Sequence, residues 1–294
     1  MSENRVLVGL IGRNILKSLS PALHEDAFAA AKLRGHYHLM DLDTLAGRRL
    51  ADLLAAARTA GFAGLNVTYP CKEAVIPLLD EVSAEAQQIG AVNTVTIERS
   101  GRTVGYNTDR IGFRRSFEET LGRAAVENRS AVLVGAGGAG RAVALALLDL
   151  GAAGVVIYDK DSARAAALAE ELIDFFGPQR ARLAEDAESA LTEAAGLVNA
   201  TPVGMLGIPG IPIVPQALQK HHWVADVIYT PLETELVKAA RARGARVLTG
   251  GGMCVHQAAE TFRLFTGIKP DIGRMRRVFA KALAARDAAI ADVA

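Results

Sequence analysis

Residues 131–140, Ala-Val-Leu-Val-Gly-Ala-Gly-Gly-Ala-Gly, constrain the fold more than any other stretch of this 294-residue chain. Val132, Leu133 and Val134 read as a short buried strand. Gly135, Gly137 and Gly140 then give G-x-G-x-x-G, and residues 141–150 (RAVALALLDL) are strongly helix-forming. A second apolar run, 155–158, ends on Asp159, 19 residues beyond Gly140. The three glycines meet three steric demands, namely a tight turn, close approach of backbone to a pyrophosphate, and close packing of helix on strand. The helix N-terminus supplies free N–H groups and a positive dipole end for phosphates. A carboxylate ending the second strand accepts hydrogen bonds from both ribose hydroxyls of an adenosine and repels a 2′-phosphate, so the pattern favours NAD over NADP. A purely structural βαβ turn is the competing explanation. The dinucleotide-binding candidates are therefore Gly135, Ala136, Gly137, Gly138, Ala139, Gly140 and Asp159.

The bulk composition narrows what else the chain can do. Half of its residues are apolar, 22% are charged, and the formal net charge is +1. That balance carries no electrostatic footprint for nucleic acid or an anionic membrane surface. Cys71 and Cys254 are far apart and form no C-x-x-C, so neither a disulfide framework nor a thiolate zinc site is expected, and a reduced cytoplasmic setting fits. The first twelve residues have too short an apolar run and the wrong flanks for a signal peptide. No apolar run reaches the roughly 20 residues a bilayer span needs. The six histidines show no ligand spacing, so no metal site is expected.

Residues 6–11, 37–42, 64–68 and 91–97 read as strands, and 21–32, 44–60 and 73–79 as helices. Strands separated by helices of this length imply βαβ crossovers and a mostly parallel sheet. A hairpin is expected around a turn at 99–102, between strands 94–98 and 103–106, followed by an amphipathic helix over 109–121. The glycine-rich unit opens a second series with strands at 131–135, 155–159, 195–199, 223–228 and 245–248. The segment 254–294 is helical in pattern and without strands, and is expected to fold back onto the first domain. The fold class is thus α/β with two domains. A mostly parallel α/β substrate domain covers 1–108 plus about 252–294, and a Rossmann-type nucleotide-binding domain covers 109–251.

Four polar clusters in the first domain stand out. Ser18-Leu-Ser20 precedes Pro21, where one serine as a helix cap is the bland explanation. In Asn66-Val-Thr-Tyr-Pro-Cys-Lys72 a cation falls at an expected helix start, against the dipole. Asn93 is an amide in an otherwise apolar strand, which a core tolerates only when hydrogen-bonded. Gly105-Tyr-Asn-Thr-Asp109 carries polar groups into a helix entry. Together these clusters put hydroxyl, amide, ammonium and carboxylate groups where α/β sheets bind ligands.

With these residues in view, the chain resembles the shikimate dehydrogenase family, including its quinate/shikimate members. The matching motifs run in family order: SLSPALHE (18–25), GLNVTYPCKEAVIPLLDE (64–81), GAVNTV (90–95), GYNTD (105–109), GAGGAGRA (135–142), NATPVGM (199–205), DVIYTPLETEL (226–236) and HQAAETFRLFTG (256–267). The resemblance implies that Lys72 and Asp109 are the catalytic pair and that Ser18 and Ser20 bind the substrate carboxylate. It implies that Thr68, Asn93, Tyr229 and Gln257 bind the ring hydroxyls or carboxylate. Asn199, Thr201, Val203 and Met205 fall at the nicotinamide-side positions, with Met253 just before the substrate-binding helix; either methionine could serve only as packing. Where NADP-dependent members carry Asn-Arg-Thr, this chain has Asp159-Lys-Asp161, with Arg164 one turn on and able to stack on adenine. The resemblance is therefore to the NAD-using branch, acting on shikimate and quinate as a monomer or homodimer. It leaves open whether Lys72, protonated at neutral pH when free, shares a proton with Asp109 or donates one. A methylene-tetrahydrofolate dehydrogenase would leave the Ser18/Ser20, Asn93 and Gln257 motifs unexplained. A non-catalytic ligand sensor on the same fold would have no need of both Lys72 and Asp109.

Overall fold

The computed structural model describes residues 5–45 and 47–291, with the side chains of 289–291 left aside; the expected domain ends at 1–4 and 292–294, like Ala46 of the expected helix 44–60, lie outside the described residues. In chain order the elements are β1 (Arg5–Gly12), α1 (Ser20–Ala30), β2 (Arg34–Asp41), α2 (Leu50–Thr59), β3 (Gly64–Val67), β4 (Glu81–Val82), α3 (Ala84–Ile89), β5 (Thr94–Ile97), β6 (Thr103–Tyr106), α4 (Asp109–Thr120), β7 (Ser130–Val134), α5 (Gly138–Asp149), β8 (Gly154–Tyr158), α6 (Ser162–Phe176), β9 (Ala181–Leu183), α7 (Ala187–Leu191), β10 (Gly196–Asn199), β11 (Trp223–Asp226), α8 (Glu235–Ala242), β12 (Arg246–Leu248), α9 (Gly250–Thr266) and α10 (Ile272–Ala291). Contacts divide the chain into Met1–Thr108 with Val255–Ala294, and Asp109–Cys254.

The first unit holds a six-stranded sheet in the order β2-β1-β3-β5-β6-β4. β1 runs parallel to β2 and β3, and β4 parallel to β6, whereas β5 is antiparallel to both β3 and β6. This register has a chemical consequence. Asn66 pairs with Thr94 and Thr94 with Tyr106, so the end of β3, the start of β5 and the end of β6 lie side by side. One sheet face packs Ile11, Leu65, Val67 and Val95 against α2, and the other packs Val8, Leu10 and Tyr37 against Phe28 and Phe262. The C-terminal helices return to this unit: Arg274 of α10 pairs with Asp26 of α1 at 2.6 and 2.9 Å.

The second unit is a fully parallel six-stranded sheet, β12-β11-β10-β7-β8-β9. Counted from β7, that is the 3-2-1-4-5-6 order of a Rossmann sheet. Its central strands read as continuous apolar runs because helices cover both faces. α5 is buried almost all round, from Ala142 to Leu148, and α4 is tied to it by Arg110 and Asp149 at 2.8 and 2.7 Å.

Some expected elements differ. The helix expected over 44–60 is only α2, because Gly47 sits at φ +75° and Thr44 is spent on a turn, its hydroxyl bonding Asp41 O at 3.0 Å. The helix expected over 73–79 is a turn followed by a short 3-10 segment, Ile76–Leu78. Lys72 therefore does not begin an α-helix. Strand 91–97 begins only at Thr94. β4, α3, β9 and α7 were not anticipated; β9 is a three-residue edge strand held by β8, too short for periodicity to register.

Candidate active site

In the first unit the sheet register gathers the expected substrate residues at one end. β1 leads through Gly12 into a loop anchored by Asp41, whose Oδ2 accepts from Ile15 N at 2.8 Å. That loop delivers Ser18 and Ser20. The helix cap of α1 is Leu19, with no side-chain cap bond, so helix capping does not account for both serines. Ser18 Oγ accepts from Ser20 N and bonds Ser20 Oγ, each at 3.2 Å. Beside it, Thr68 closes the end of β3 through Thr68 N to Ile11 O at 2.9 Å. Gly12 is required there, since a Cβ would meet Thr68 Cγ2 at 2.4 Å. Lys72 follows in the turn, its backbone carbonyl accepting from Val92 N at 2.8 Å.

Asn93 is buried at the start of β5, and its amide is fully oriented. Oδ1 accepts from Thr108 N at 2.9 Å and from Thr94 Oγ1 at 2.9 Å, while Nδ2 donates to Thr108 Oγ1 at 2.9 Å. Thr108 also reaches Gln257 Oε1 on α9, at 3.4 Å. Ser18, Ser20, Thr68, Lys72, Asn93 and Gln257 are thus brought to one end of the first unit. A second buried amide, Asn66, stands beneath them; it was not singled out from sequence, although an amide inside the apolar run GLNV is the same signal that marked Asn93.

In the second unit every strand is parallel, so the loops after β7, β8, β10 and β11 share one end. Three glycines shape the first of these. Gly135 sits at φ +102°, and a Cβ would meet Ala200 C at 2.9 Å; at Gly140 a Cβ would meet Gly135 O at 1.9 Å. Above Gly137 the space is open, its nearest neighbour Arg164 Nη2 at 3.9 Å from where a Cβ would stand. Gly137 caps α5 without a side-chain bond, leaving the first helical N–H groups unclaimed by a cap. A cradle open above backbone N–H groups fits a pyrophosphate. Asp159 is set against it: Oδ2 accepts from Ala136 N at 2.7 Å and Oδ1 from Asp161 N at 3.0 Å. Asp161 caps α6 through Ala163 N and Arg164 N.

The loop after β10 is organised from below. Asn199 has no exposed surface. Its Oδ1 accepts from Thr201 N and Thr201 Oγ1 at 3.0 and 2.7 Å, and its Nδ2 donates to Val203 O at 3.1 Å and Asp226 Oδ1 at 3.2 Å. The Asn199 side chain is spent inside the protein and shapes the loop carrying Thr201, Val203 and Met205, all partly exposed. Asp226 is the other buried support, accepting also from Ile228 N at 3.0 Å and Thr234 Oγ1 at 2.7 Å. Burial pushes its carboxyl above the usual carboxylate range, opposed by these three hydrogen bonds. Tyr229 follows it and is partly exposed. Met253 is buried in the first turn of α9, where Gly250 lies against Val227 O and Ile228 O. Asp109 is the first residue of α4, almost wholly buried. Among the described residues no cluster of His, Cys, Asp and Glu could hold a metal ion, and no helix is long and apolar enough to cross a membrane.

Comparison with known proteins places this geometry in a family. Residues 10–95 match the family model for the shikimate dehydrogenase substrate binding domain, and residues 250–278 that for the shikimate 5'-dehydrogenase C-terminal domain. A quinate/shikimate dehydrogenase (NAD(+)) of Corynebacterium efficiens is 48% identical over 283 residues, covering 95% of this chain and 99% of that protein. A shikimate dehydrogenase (NADP(+)) of Streptomyces avermitilis is 50% identical over 279 residues, covering 94% and 95%. The structure of quinate dehydrogenase from Corynebacterium glutamicum in complex with NAD superposes with a TM-score of 0.85 at 46% identity, covering 94% of this chain and 99% of the other. The two-domain α/β architecture and an alignment of nearly full length at such identity leave one conclusion: this chain belongs to the shikimate dehydrogenase family and is an oxidoreductase of the shikimate/quinate dehydrogenase type.

Proposed function

We propose that the chain is an NAD-preferring dehydrogenase that oxidises the ring hydroxyl of shikimate, and of quinate less efficiently, to the corresponding ketone. The observation that carries the cofactor preference is the Asp159 carboxylate, held 2.7 Å from Ala136 N within the glycine loop. A carboxylate there welcomes ribose hydroxyls and repels a 2′-phosphate. The NADP-named relative from Streptomyces is as similar overall as the NAD-named one, so the preference rests on this residue and not on kinship. Gly135, Gly137 and Gly140 would hold the pyrophosphate, Arg164 the adenine, and Thr201, Val203, Met205 and Met253 the nicotinamide side. When bound, the nicotinamide accepts the hydride that leaves the carbinol carbon.

The chain supplies the rest. Ser18 and Ser20 hold the substrate carboxylate by hydroxyl hydrogen bonds, which orient it without a cationic partner. Thr68, Asn93, Tyr229 and Gln257 hold the ring oxygens. Lys72 and Asp109 handle the carbinol proton as one coupled unit: as the C–H bond gives up its electron pair, the O–H proton passes to this pair and the C=O bond forms. The substrate domain is then 1–108 with the C-terminal helices, and the nucleotide domain begins at Asp109. The protein is proposed to work in the cytoplasm as a monomer or homodimer.

Steady-state kinetics with NAD and NADP, each against shikimate and quinate, test the proposal. The expected order is NAD over NADP by at least about tenfold in kcat/KM, roughly 1.4 kcal/mol, with shikimate above quinate. A pocket not built to exclude it rejects one extra hydroxyl by only about 10²-fold. Equal use of NADP, or a strong quinate preference, would overturn the corresponding part.

A further inference from the structure

We propose that Tyr37 and Thr261 are positioning residues in a buried hydrogen-bond network that holds Asn93 with an amide N–H toward a bound ligand. The inference rests on the substrate reading above and deepens it. The chain begins at Tyr37 on β2, whose hydroxyl lies 2.8 Å from Asn66 Oδ1. Two backbone groups fix the directions of the two buried amides. The carbonyl of Asn93 can only accept, and Asn66 Nδ2 bonds it at 3.1 Å. The amide of Asn66 is thereby oriented, and its oxygen must take the phenol proton. At the other end Thr108 N can only donate, and it bonds Asn93 Oδ1 at 2.9 Å. Asn93 Nδ2 is thereby turned to Thr108 Oγ1, at 2.9 Å, and keeps its second hydrogen.

Between these anchors the hydroxyls fall into line. Thr94 Oγ1 accepts from Asn66 Nδ2 at 3.1 Å and donates to Asn93 Oδ1 at 2.9 Å. Thr261, with no exposed surface, sits at the centre: 2.9 Å from Thr94 Oγ1, 3.2 Å from Thr108 Oγ1 and 3.3 Å from Asn66 Nδ2. Thr108 Oγ1, receiving from Asn93, has Asn93 Oδ1 and Thr261 Oγ1 at 3.2 Å and Gln257 Oε1 at 3.4 Å within reach of its one proton. Ammonium, hydroxyl and amide N–H groups at one sheet end suit a ligand rich in oxygen lone pairs, as a carboxylate with ring hydroxyls is. Reversing either amide would set acceptor against acceptor in a buried site.

Tyr37 is 2% exposed and Thr261 fully buried, so neither reaches a ligand directly. The ring of His24 stacks on Tyr37 at 4.8 Å and 22° and holds the phenol in place.

Thr261→Val removes the central hydroxyl at nearly constant shape, Thr261→Ser restores it, and Tyr37→Phe removes the head of the chain. In full-length enzyme, Thr261→Val and Tyr37→Phe are expected to raise the shikimate KM about fivefold or more, the size of one lost hydrogen bond. The NAD KM should stay within about twofold, as should both constants of Thr261→Ser. Both KM values rising in proportion would mean general loosening and overturn the proposal, as would an unchanged shikimate KM. Should Thr261→Val fail to fold, Tyr37→Phe decides. Side-chain amide 1H–15N resonances of Asn93, assigned with Asn93→Asp, read the order of the network without substrate. Shifted amide signals in Thr261→Val support the chain even if shikimate is not turned over, a result that would sink the substrate reading alone; unshifted signals overturn it.

Discussion

Replacing Asp159 by Asn should swing cofactor use toward NADP, and the structure sets the scale. Both carboxylate oxygens accept backbone N–H groups, from Ala136 at 2.7 Å and Asp161 at 3.0 Å. An asparagine keeps only one acceptor oxygen, so one N–H loses its partner at a cost of about 1 kcal/mol to the order of the loop. The electrostatic gain is larger. Two unit charges about 4 Å apart interact by about 1 kcal/mol in water and about 4 kcal/mol at an effective dielectric of about 20. A phosphate monoester carries about −1.5 to −2 charges at neutral pH. Asp159 is half-buried, which argues for the lower part of that range, about 2 to 3 kcal/mol, or roughly 30- to 150-fold. The ratio of kcat/KM for NADP to that for NAD should therefore rise about 30-fold or more in Asp159→Asn, mainly through better NADP binding. Isothermal titration of each oxidised cofactor without substrate should show the same shift, and raising the salt should shrink it. A ratio unchanged within about threefold would refute the assignment of Asp159 as the discriminating charge.

Lys72→Ala and Asp109→Ala should each depress kcat strongly in a protein that still folds, and the double variant should cost little more than either alone; near-normal turnover in Lys72→Ala removes the lysine from the mechanism. Asp226→Asn keeps an acceptor for Asn199 Nδ2 and Ile228 N on Oδ1 but takes away the second oxygen, to which Thr234 Oγ1 donates. It should cost about 1–3 kcal/mol in chemical denaturation and raise the NAD KM more than the shikimate KM. Burial without a partner for Nδ1 depresses His24 from 6.5 to about 3. With the folded value depressed, its contribution to stability is complete above about 6.5 and is lost as pH falls toward 3, at up to about 1.4 kcal/mol per pH unit. Melting curves from pH 7 to 4 should show that loss, and His24→Phe should flatten it.

The nucleotide unit was the most legible part of the chain for a physical reason. Its central strands β7, β8, β10 and β11 are buried on both faces, so each announces itself as an apolar run, and the glycines between them answer steric demands that only a few positions impose. Gly140 is the clearest: a Cβ there would sit 1.9 Å from Gly135 O. The first unit was harder. Alanine-rich helix propensity over 44–60 extended across Gly47, whose left-handed φ of +75° stops any helix. β4 there and β9 in the nucleotide unit, at two and three residues, exist only because a neighbouring strand offers its edge. Local sequence cannot register an element whose reason is its partner.

The same distinction runs through the site. Asn93 was legible because it breaks a local rule, an amide in an apolar run; Lys72 was marked by a helix start that the fold does not have, and Lys72 and Asp109 take their roles from the family motifs. Tyr37 and Thr261 break no local rule. A tyrosine in a strand and a threonine in an amphipathic helix are ordinary residues, and nothing near them in sequence says that their hydroxyls matter. Their significance arises from register. Only because β5 runs antiparallel to β3 does Asn66 come beside Thr94, and only because α9 returns to this unit does Thr261, 153 residues on, meet Thr108. Direction is set even later, by two backbone groups that can act in one sense only. Composition supplies hydroxyls and amides that could donate or accept; the fold removes that freedom one bond at a time. The first groups to lose it are the backbone carbonyl of Asn93 and the N–H of Thr108, which no side-chain substitution can reverse. Variants of Tyr37 and Thr261 should therefore loosen the order of the site without inverting it, which is why a change in substrate KM, and not an exchange of substrate class, is the effect to look for.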